Sequence, residues 1–231
     1  MDSIKGKRIV CITDAHGRHE TLMNLLEETK LNCKEDTLVF CGDAIDRGPD
    51  EDLVITELEK LKEAMGDRMI WLMGNHEDEI LTAYYRRYIR DPKRKDLAER
   101  ILHQHLDDYF EFAETIFVHG AYHTDNRFVR LMGGRRIISG GELYKEKIFI
   151  AGHNEVENAV YIDQHGKKTV LFNGMKLPEK GSIYFDTGLN PVLKRGSEKM
   201  SALIIEDGVI NLKQVPITER DKRFEDGEFY W

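Results

Sequence analysis

Three apolar runs in the first third of the chain each end in a short polar turn that sets acids, histidine or asparagine beside glycine. Residues 8–13 (RIVCIT) give way to Asp14-Ala15-His16-Gly17, and residues 37–41 (TLVFC) to Gly42-Asp43-Ala44-Ile45-Asp46-Arg47-Gly48. Residues 69–73 (MIWLM) give way to Gly74-Asn75-His76-Glu77. Short unbroken apolar runs bounded by turn signals read as strands buried on both faces. Between them lie helical patterns, one over 19–30 with Leu22, Leu25 and Leu26 on one face, another opened by Pro49 and running to about Met65. This βαβαβ rhythm calls for neighbouring, mostly parallel strands covered by helices. Ligands gather at the carboxyl ends of such strands, so the three turns are expected to converge in space.

Helical patterns continue from Glu77 to about Arg90 and from about Asp96 to Tyr109, with Asp91-Pro92 read as a breaker between them. A strand is expected at 115–118. Further β-like runs follow at 148–151, 159–163, 169–172, 183–185, 202–206 and 209–215, the last two split by Asp207-Gly208 as in a hairpin. The predicted fold class is α/β, with two sheets packed together in a single domain over residues 1–231 and a helical insertion at about 77–110. A chain of 231 residues can bury a sufficient core without disulfides. Its three cysteines form no CxxC pair, and Cys11 and Cys41 read as buried strand residues.

Apolar residues at 41% and charged residues at 33% fit a soluble globular protein. No run approaches the roughly 20 apolar residues of a membrane span, and MDSIKGKRIV has no secretory-signal pattern, so a cytoplasmic location is expected. The net charge of −8 argues against general nucleic-acid binding, which needs surplus Lys and Arg. A small or locally presented anion is still compatible if a metal cluster supplies the positive charge that the surface lacks.

Two later strands also end in polar turns, at His119-Gly120 and Gly152-His153, so five strand ends bring Asp, His and Asn to one rim. Carboxylate, imidazole and one amide oxygen, without thiolate, suit Mn, Fe or Zn. Asp14 and His16 can claim one ion, and Asn75, His119 and His153 another, with Asp43 shared between them. Two ions roughly 3.5 to 4 Å apart can activate a bridging hydroxide for in-line displacement at phosphorus. His76 is placed to protonate the leaving oxygen, Asp46 to orient its imidazole, and Arg47 to offer a planar fork to phosphoryl oxygens.

With these motifs in this order, the sequence resembles the calcineurin-like metallophosphatases of the phosphoprotein phosphatase type, whose motifs run GDxHG, GDxVDRG, GNHE and two later histidines. Small bacterial and phage members of the lambda-phosphatase kind are the most similar, and Ile183-Tyr184-Phe185-Asp186-Thr187-Gly188 looks like the family's late strand and turn. The resemblance implies a β-sandwich of two mixed sheets flanked by helices and two ions, commonly Mn. It assigns Asp14, His16 and Asp43 to the first ion, and Asp43, Asn75, His119 and His153 to the second. Arg47, Asp46 and His76 fall on its phosphate-binding and proton-donating positions. Thr13 stands where the family has the first glycine of GDxHG, and Ile45 where it has valine. A second phosphate-binding arginine is expected between the late histidines, where Arg127, Arg130, Arg135 and Arg136 compete and Arg135 and Arg127 are preferred.

The function expected from this pattern is hydrolysis of phosphate monoesters. Phosphoserine and phosphothreonine in proteins are the substrates the resemblance implies, with phosphotyrosine added for a dual-specificity enzyme. The alternatives are a diadenosine tetraphosphate hydrolase, a cyclic-nucleotide or RNA-end phosphodiesterase, or a non-catalytic metal-binding module. Arg86, Arg87, Arg90, Lys93, Arg94, Lys95 and Arg100 read as a solvated face or hinge, and alternatively as a basic lid for a polyanion. His103 and His105 do not share a helix face and are discounted as ligands. His123 is a loop candidate for substrate contact, and Phe229-Tyr230-Trp231 reads as a packed terminus.

Overall fold

The computed structural model describes residues 8–121, 146–188 and 197–222. The chain runs β1 (Ile9–Ile12), α1 (His19–Thr29), β2 (Thr37–Phe40), α2 (Glu51–Met65), β3 (Met69–Trp71), α3 (Asn75–Tyr85) and α4 (Pro92–His103). There follow β4 (Tyr109–Phe112), β5 (Thr115–Val118), β6 (Ile148–Ala151), β7 (Val160–Ile162), β8 (Lys168–Val170), β9 (Met175–Lys176), β10 (Gly181–Tyr184), β11 (Lys199–Glu206) and β12 (Val209–Pro216). Two six-stranded sheets result, ordered β3-β2-β1-β11-β12-β9 and β4-β5-β6-β10-β7-β8. Both are mixed: β1, β2 and β3 are parallel, as are β5, β6 and β10, and antiparallel strands complete each sheet.

The alternation of side chains along a strand explains why the apolar runs are unbroken. Val10, Ile12, Leu38 and Phe40 face the helices, where Leu22 and Leu25 of α1 and Val54, Ile55 and Leu58 of α2 meet them. Ile9, Cys11, Val39 and Cys41 face the other way, into a second core shared with Phe117, Ile148, Ile150 and Ile183 of the opposite sheet. The two-sheet sandwich expected from the sequence is therefore present. Each fully buried Leu, Ile or Val contributes about 1.5–3 kcal/mol relative to exposure, so both faces of β1 and β2 specify their position. Cys11 and Cys41 are free and buried, as expected.

The helical region departs from expectation. Asp91-Pro92 lies between the two helices, as expected, and also starts the second: the Asp91 side chain accepts from Lys93 N at 3.1 Å, and Pro92 occupies the first turn, where its missing N–H has no partner to lose. α4 therefore begins before Asp96 and ends at His103. Tyr109, expected at its end, opens β4, an edge strand on β5 whose Phe110 stacks on Phe117 at 5.9 Å. α3 stops at Tyr85, five residues before Arg90, and Arg87 turns into left-handed backbone at φ 59°. His105 lies beyond the helix, also left-handed, so it and His103 are not a helical pair.

The basic region is not simply a solvated face. Arg100 binds Asp52, Thr56 and Glu59 and ties α4 to α2, while Arg94 turns inward. No helix among the described residues is long and apolar enough to cross a membrane. His123, Arg127, Arg130, Arg135, Arg136 and the terminal Phe229-Tyr230-Trp231 lie outside the described residues.

Candidate active site

Because β1, β2 and β3 are parallel, their carboxyl ends lie side by side, and the turns that follow are joined through the backbone. Asp14 N donates to Gly42 O at 3.0 Å, His16 N to Asp43 O at 3.0 Å and Gly17 N to Ala44 O at 2.8 Å. Gly17 (φ 64°) packs against Gly48 so closely that a Cβ on it would stand 2.8 Å from the Gly48 carbonyl oxygen. Asp14, His16, Asp43, Asp46, Arg47 and His153 all have positive φ, six of the eleven non-glycine residues that do among those described. Asp and His tolerate this region better than most residues. Such backbone persists only where surrounding contacts fix it.

The Asp43 carboxylate is the hub. Its Oδ2 lies 3.3 Å from His119 Nε2, 3.6 Å from His16 Nε2 and 3.9 Å from His76 Nε2, while Oδ1 accepts from His76 N at 3.0 Å. His16 Nδ1 donates to Ile45 O at 3.0 Å and His119 Nδ1 to Cys41 O at 2.7 Å, since a carbonyl can only accept. Both rings therefore turn Nε2 toward the acids, an arrangement common around metals. His16 Nε2 is buried without a hydrogen-bond partner, 3.6 Å from Asp14 Oδ1 as well as from Asp43. An unpartnered imidazole lone pair between two buried carboxylates fits a divalent cation. Among the described residues two such groups can be drawn, His16-Asp43-His76 and Asp43-His119-His153, each with ligand atoms within 4.8 Å of one another, and they share Asp43. Asn75 Oδ1 adjoins the second, 3.1 Å from His119 Nε2. The Asp14 Oδ2 atom accepts from His153 N at 2.9 Å and from the Thr13 hydroxyl.

Electrostatics separate the four histidines. Burial and the nearby Arg47 charge keep His16 neutral, with its pKa well below the usual value. Burial and the His119 charge lower His153 to about 3. Burial also opposes charge on His119, but the Asp43 carboxylate and its hydrogen bond raise it to about 10. A divalent ion held by the same carboxylates would take the place of that proton. Burial opposes charge on His76 too, yet Asp43 and the hydrogen bond to Asp46 hold it at about 9. Burial raises Asp14 to about 6, with His119 pulling it down and Asp43 pushing it up.

Beside the hub stands a dyad, in which His76 Nδ1 donates to Asp46 Oδ2 at 2.5 Å. Arg47 Nη2 lies 3.4 Å from His76 Nε2. The structure thus gathers Asp14, His16, Asp43, Asp46, Arg47, Asn75, His76, His119 and His153 at one rim. It also places there residues to which the sequence assigned no site role. Glu77 is wholly buried and accepts from Asp43 N (2.8 Å), Ala44 N (2.8 Å) and Gly74 N (2.9 Å), stapling the second turn to the third. The signal for Glu77 was its place three residues after Gly74, half of a capping box. Arg94 reaches Asp46 from α4, which no local pattern announces. Glu155 Oε1 lies 3.8 Å from Arg47. Thr13 is accommodated because Gly152 opposite it has no side chain: a Cβ there would overlap the Thr13 and Asp14 side chains.

Comparison with known proteins agrees with this geometry. Residues 7–183 match the family described as calcineurin-like phosphoesterase. A symmetrical bis(5'-nucleosyl)-tetraphosphatase from Delftia acidovorans is 34% identical over 94 residues, which cover 41% of this chain and 31% of that one. Shewanella-like protein phosphatase 1 from Plasmodium berghei is 33% identical over 141 residues, covering 56% and 36%. The chain thus spans only about a third of the length of the curated relatives it matches. A metallophosphoesterase structure from Sphaerobacter thermophilus superposes with a TM-score of 0.63 at 15% identity, covering 91% of this chain and 89% of that one, a likeness of fold alone. Since the family match takes in the strand ends, the turns and both late histidines, this chain belongs to the calcineurin-like phosphoesterases.

Proposed function

We propose that this protein is a hydrolase that cleaves phosphate monoesters, those of serine and threonine side chains in proteins first among them. In this reading Asp14, His16 and Asp43 hold one divalent ion and Asp43, Asn75, His119 and His153 a second. Manganese is the expected metal, and iron or zinc suits the same donors. The observation that carries the reading is the single Asp43 oxygen set among three imidazole nitrogens, at 3.3, 3.6 and 3.9 Å. Two ions bound around it supply an activated water and stabilise charge on the phosphoryl oxygens. Residues 1–231 are read as one cytoplasmic domain, with α3 and α4 as its insertion.

The side chains do the rest. With Nδ1 committed to Asp46, the His76 proton available to a leaving oxygen is the one on Nε2, on the Asp43 side. Its pKa near 9 keeps the imidazole charged at neutral pH. For this reason His76 is assigned to proton donation, and Asp14 completes the first ion's ligands. Arg47 can only donate, and Nε2 of the charged ring is a donor too, so their 3.4 Å contact is not a hydrogen bond in that state. Once that nitrogen is protonated, the two donors need a common acceptor, and the oxygens of a phosphoester provide it. An alkoxide leaves as a strong base and needs the proton most, whereas a nucleotide phosphate leaves as a stable anion. The dyad therefore favours monoesters of alcohols.

A second reading, cleavage of dinucleoside polyphosphates, is favoured by the similarity to the tetraphosphatase and by the surface of the α3–α4 region. Tyr85 and Tyr88 are 66% and 56% exposed there, among Arg86, Arg87 and Lys93. A metal-reconstituted panel of phosphoserine and phosphothreonine peptides, diadenosine tetraphosphate and a 2′,3′-cyclic nucleotide separates the two. Highest kcat/KM on the phosphopeptides is expected, and faster turnover of either nucleotide would displace the first reading. In the same panel, His76→Asn should lower kcat on phosphopeptides by about 10²- to 10⁴-fold.

A further inference from the structure

We infer that Arg94 is a positioning residue for proton donation: it fixes the Asp46 carboxylate that in turn orients His76. This rests on the role proposed above for His76.

Arg94 Nη1 lies 2.8 Å from Asp46 Oδ1 and 2.8 Å from Glu51 Oε2. Glu51 Oε2 also accepts from Asp46 N at 3.2 Å. The other Asp46 oxygen takes the His76 Nδ1 proton. One carboxylate is thus gripped from both ends, by the imidazole on one oxygen and the guanidinium on the other. Asp46 needs such a grip, because it sits on left-handed backbone (φ 67°) and its side chain is about one-fifth exposed. Burial opposes its charge, and the hydrogen bonds and charges of His76 and Arg94 outweigh that and keep it ionised.

The guanidinium is itself held. Asp91 and Pro92 fix the start of α4, so Arg94 falls in its first turn. Leu97, Ala98 and Ile101 bury the helix against the core, and Arg100 clamps it to Asp52, Thr56 and Glu59 of α2, the helix that carries Glu51. Both contacts come from the one Nη1 nitrogen, whose two N–H donors serve the two carboxylates, so an ammonium brought to the same point replaces part of the grip but not the fixed direction of its donors. The helical insertion thereby acquires a task at the reaction centre that does not require it to touch substrate.

The test is a double-mutant cycle with metal-reconstituted enzyme, read on a phosphothreonine peptide and on 2,4-dinitrophenyl phosphate, whose leaving group needs no proton. Arg94→Ala should lower kcat on the peptide by about 10-fold or more, the scale at which outer partners of site residues act. KM should stay within about twofold, and turnover of the dinitrophenyl ester should be nearly unchanged. Arg94→Lys should recover part of the loss. In a His76→Asn background Arg94→Ala should cost little further, because the group it positions is gone. Equal losses on both esters, or losses that add in the cycle, would overturn the inference. Thermal unfolding of each variant checks folding, and if Arg94→Ala fails to fold, Arg94→Gln and Arg94→Lys carry the same comparison. Should His76→Asn alone fail to discriminate between the esters, the proton-donor assignment falls. Should it discriminate while the Arg94 variants do not, only the role of Arg94 falls.

Discussion

Replacing Glu77 with glutamine tests how the rim is held together. The native side chain is wholly buried, with Oε2 accepting from Asp43 N at 2.8 Å and Gly74 N at 2.9 Å and Oε1 from Ala44 N at 2.8 Å. Glutamine fills the same volume but has one acceptor. Its best placement keeps the carbonyl oxygen on the Asp43 and Gly74 pair, which leaves the amide NH2 facing the Ala44 N–H, donor against donor. A buried donor left unsatisfied costs about 1–3 kcal/mol. In a domain of this size each kcal/mol is worth about 2–4 °C. The expected fall in Tm is therefore about 2–12 °C, read by circular dichroism with chelator present. The measurement belongs at pH 8, because burial and the Asp43 charge raise Glu77 to about 7 and the native group must be ionised for a clean comparison. Asp43 and Ala44 lie on the turn that presents the shared carboxylate, so divalent-ion affinity by titration calorimetry should also fall, by about 10-fold. A Tm within 1 °C of the parent together with unchanged affinity would refute the reasoning, and the turn would then be held by its other contacts.

Asp43→Asn should abolish divalent-ion-dependent hydrolysis of an aryl phosphate and reduce bound metal below two per chain by elemental analysis; substantial retained turnover would remove Asp43 from the centre of the site. Gly152→Ala should destabilise by about 1–3 kcal/mol, the usual cost of overpacking, because the new methyl meets the Thr13 and Asp14 side chains. Adding Thr13→Ala should recover part of that loss in thermal unfolding, and a double variant no more stable than Gly152→Ala would contradict the packing account. Arg100→Ala should cost about 1 kcal/mol or less, since its partners are partly exposed. Its clearer signature should be faster amide exchange in α4, and unchanged protection would mean that Leu97, Ala98 and Ile101 hold the helix unaided.

The first three strands were legible because each is buried on two faces, so the apolar runs had to be continuous and the polar turns stood out against them. β6 was expected at its observed bounds for the same reason. The β-rich half was read less sharply: β8 and β10 begin and end one or two residues earlier than their apolar runs suggested, and β9, two residues long, left no periodicity to detect. The α4–β4 boundary failed because Leu102, Leu106 and Phe110 continue a helical spacing that the chain does not follow. The pairing of Tyr109–Phe112 with β5 decides that stretch, and such a pairing is non-local.

What the sequence alone determined is the order and chemistry of the strand-end turns: acids, histidines and an asparagine set beside glycine at the points where strands stop. That information is local, because a turn must carry residues that tolerate its backbone and leave it polar. What only the tertiary structure decided is which of those atoms meet. The three imidazoles around one Asp43 oxygen, the Glu77 staple between two turns and the Arg94 grip on Asp46 join residues from separate elements. Sheet register and helix packing set those distances, and neither is written in the residues on one side of the contact.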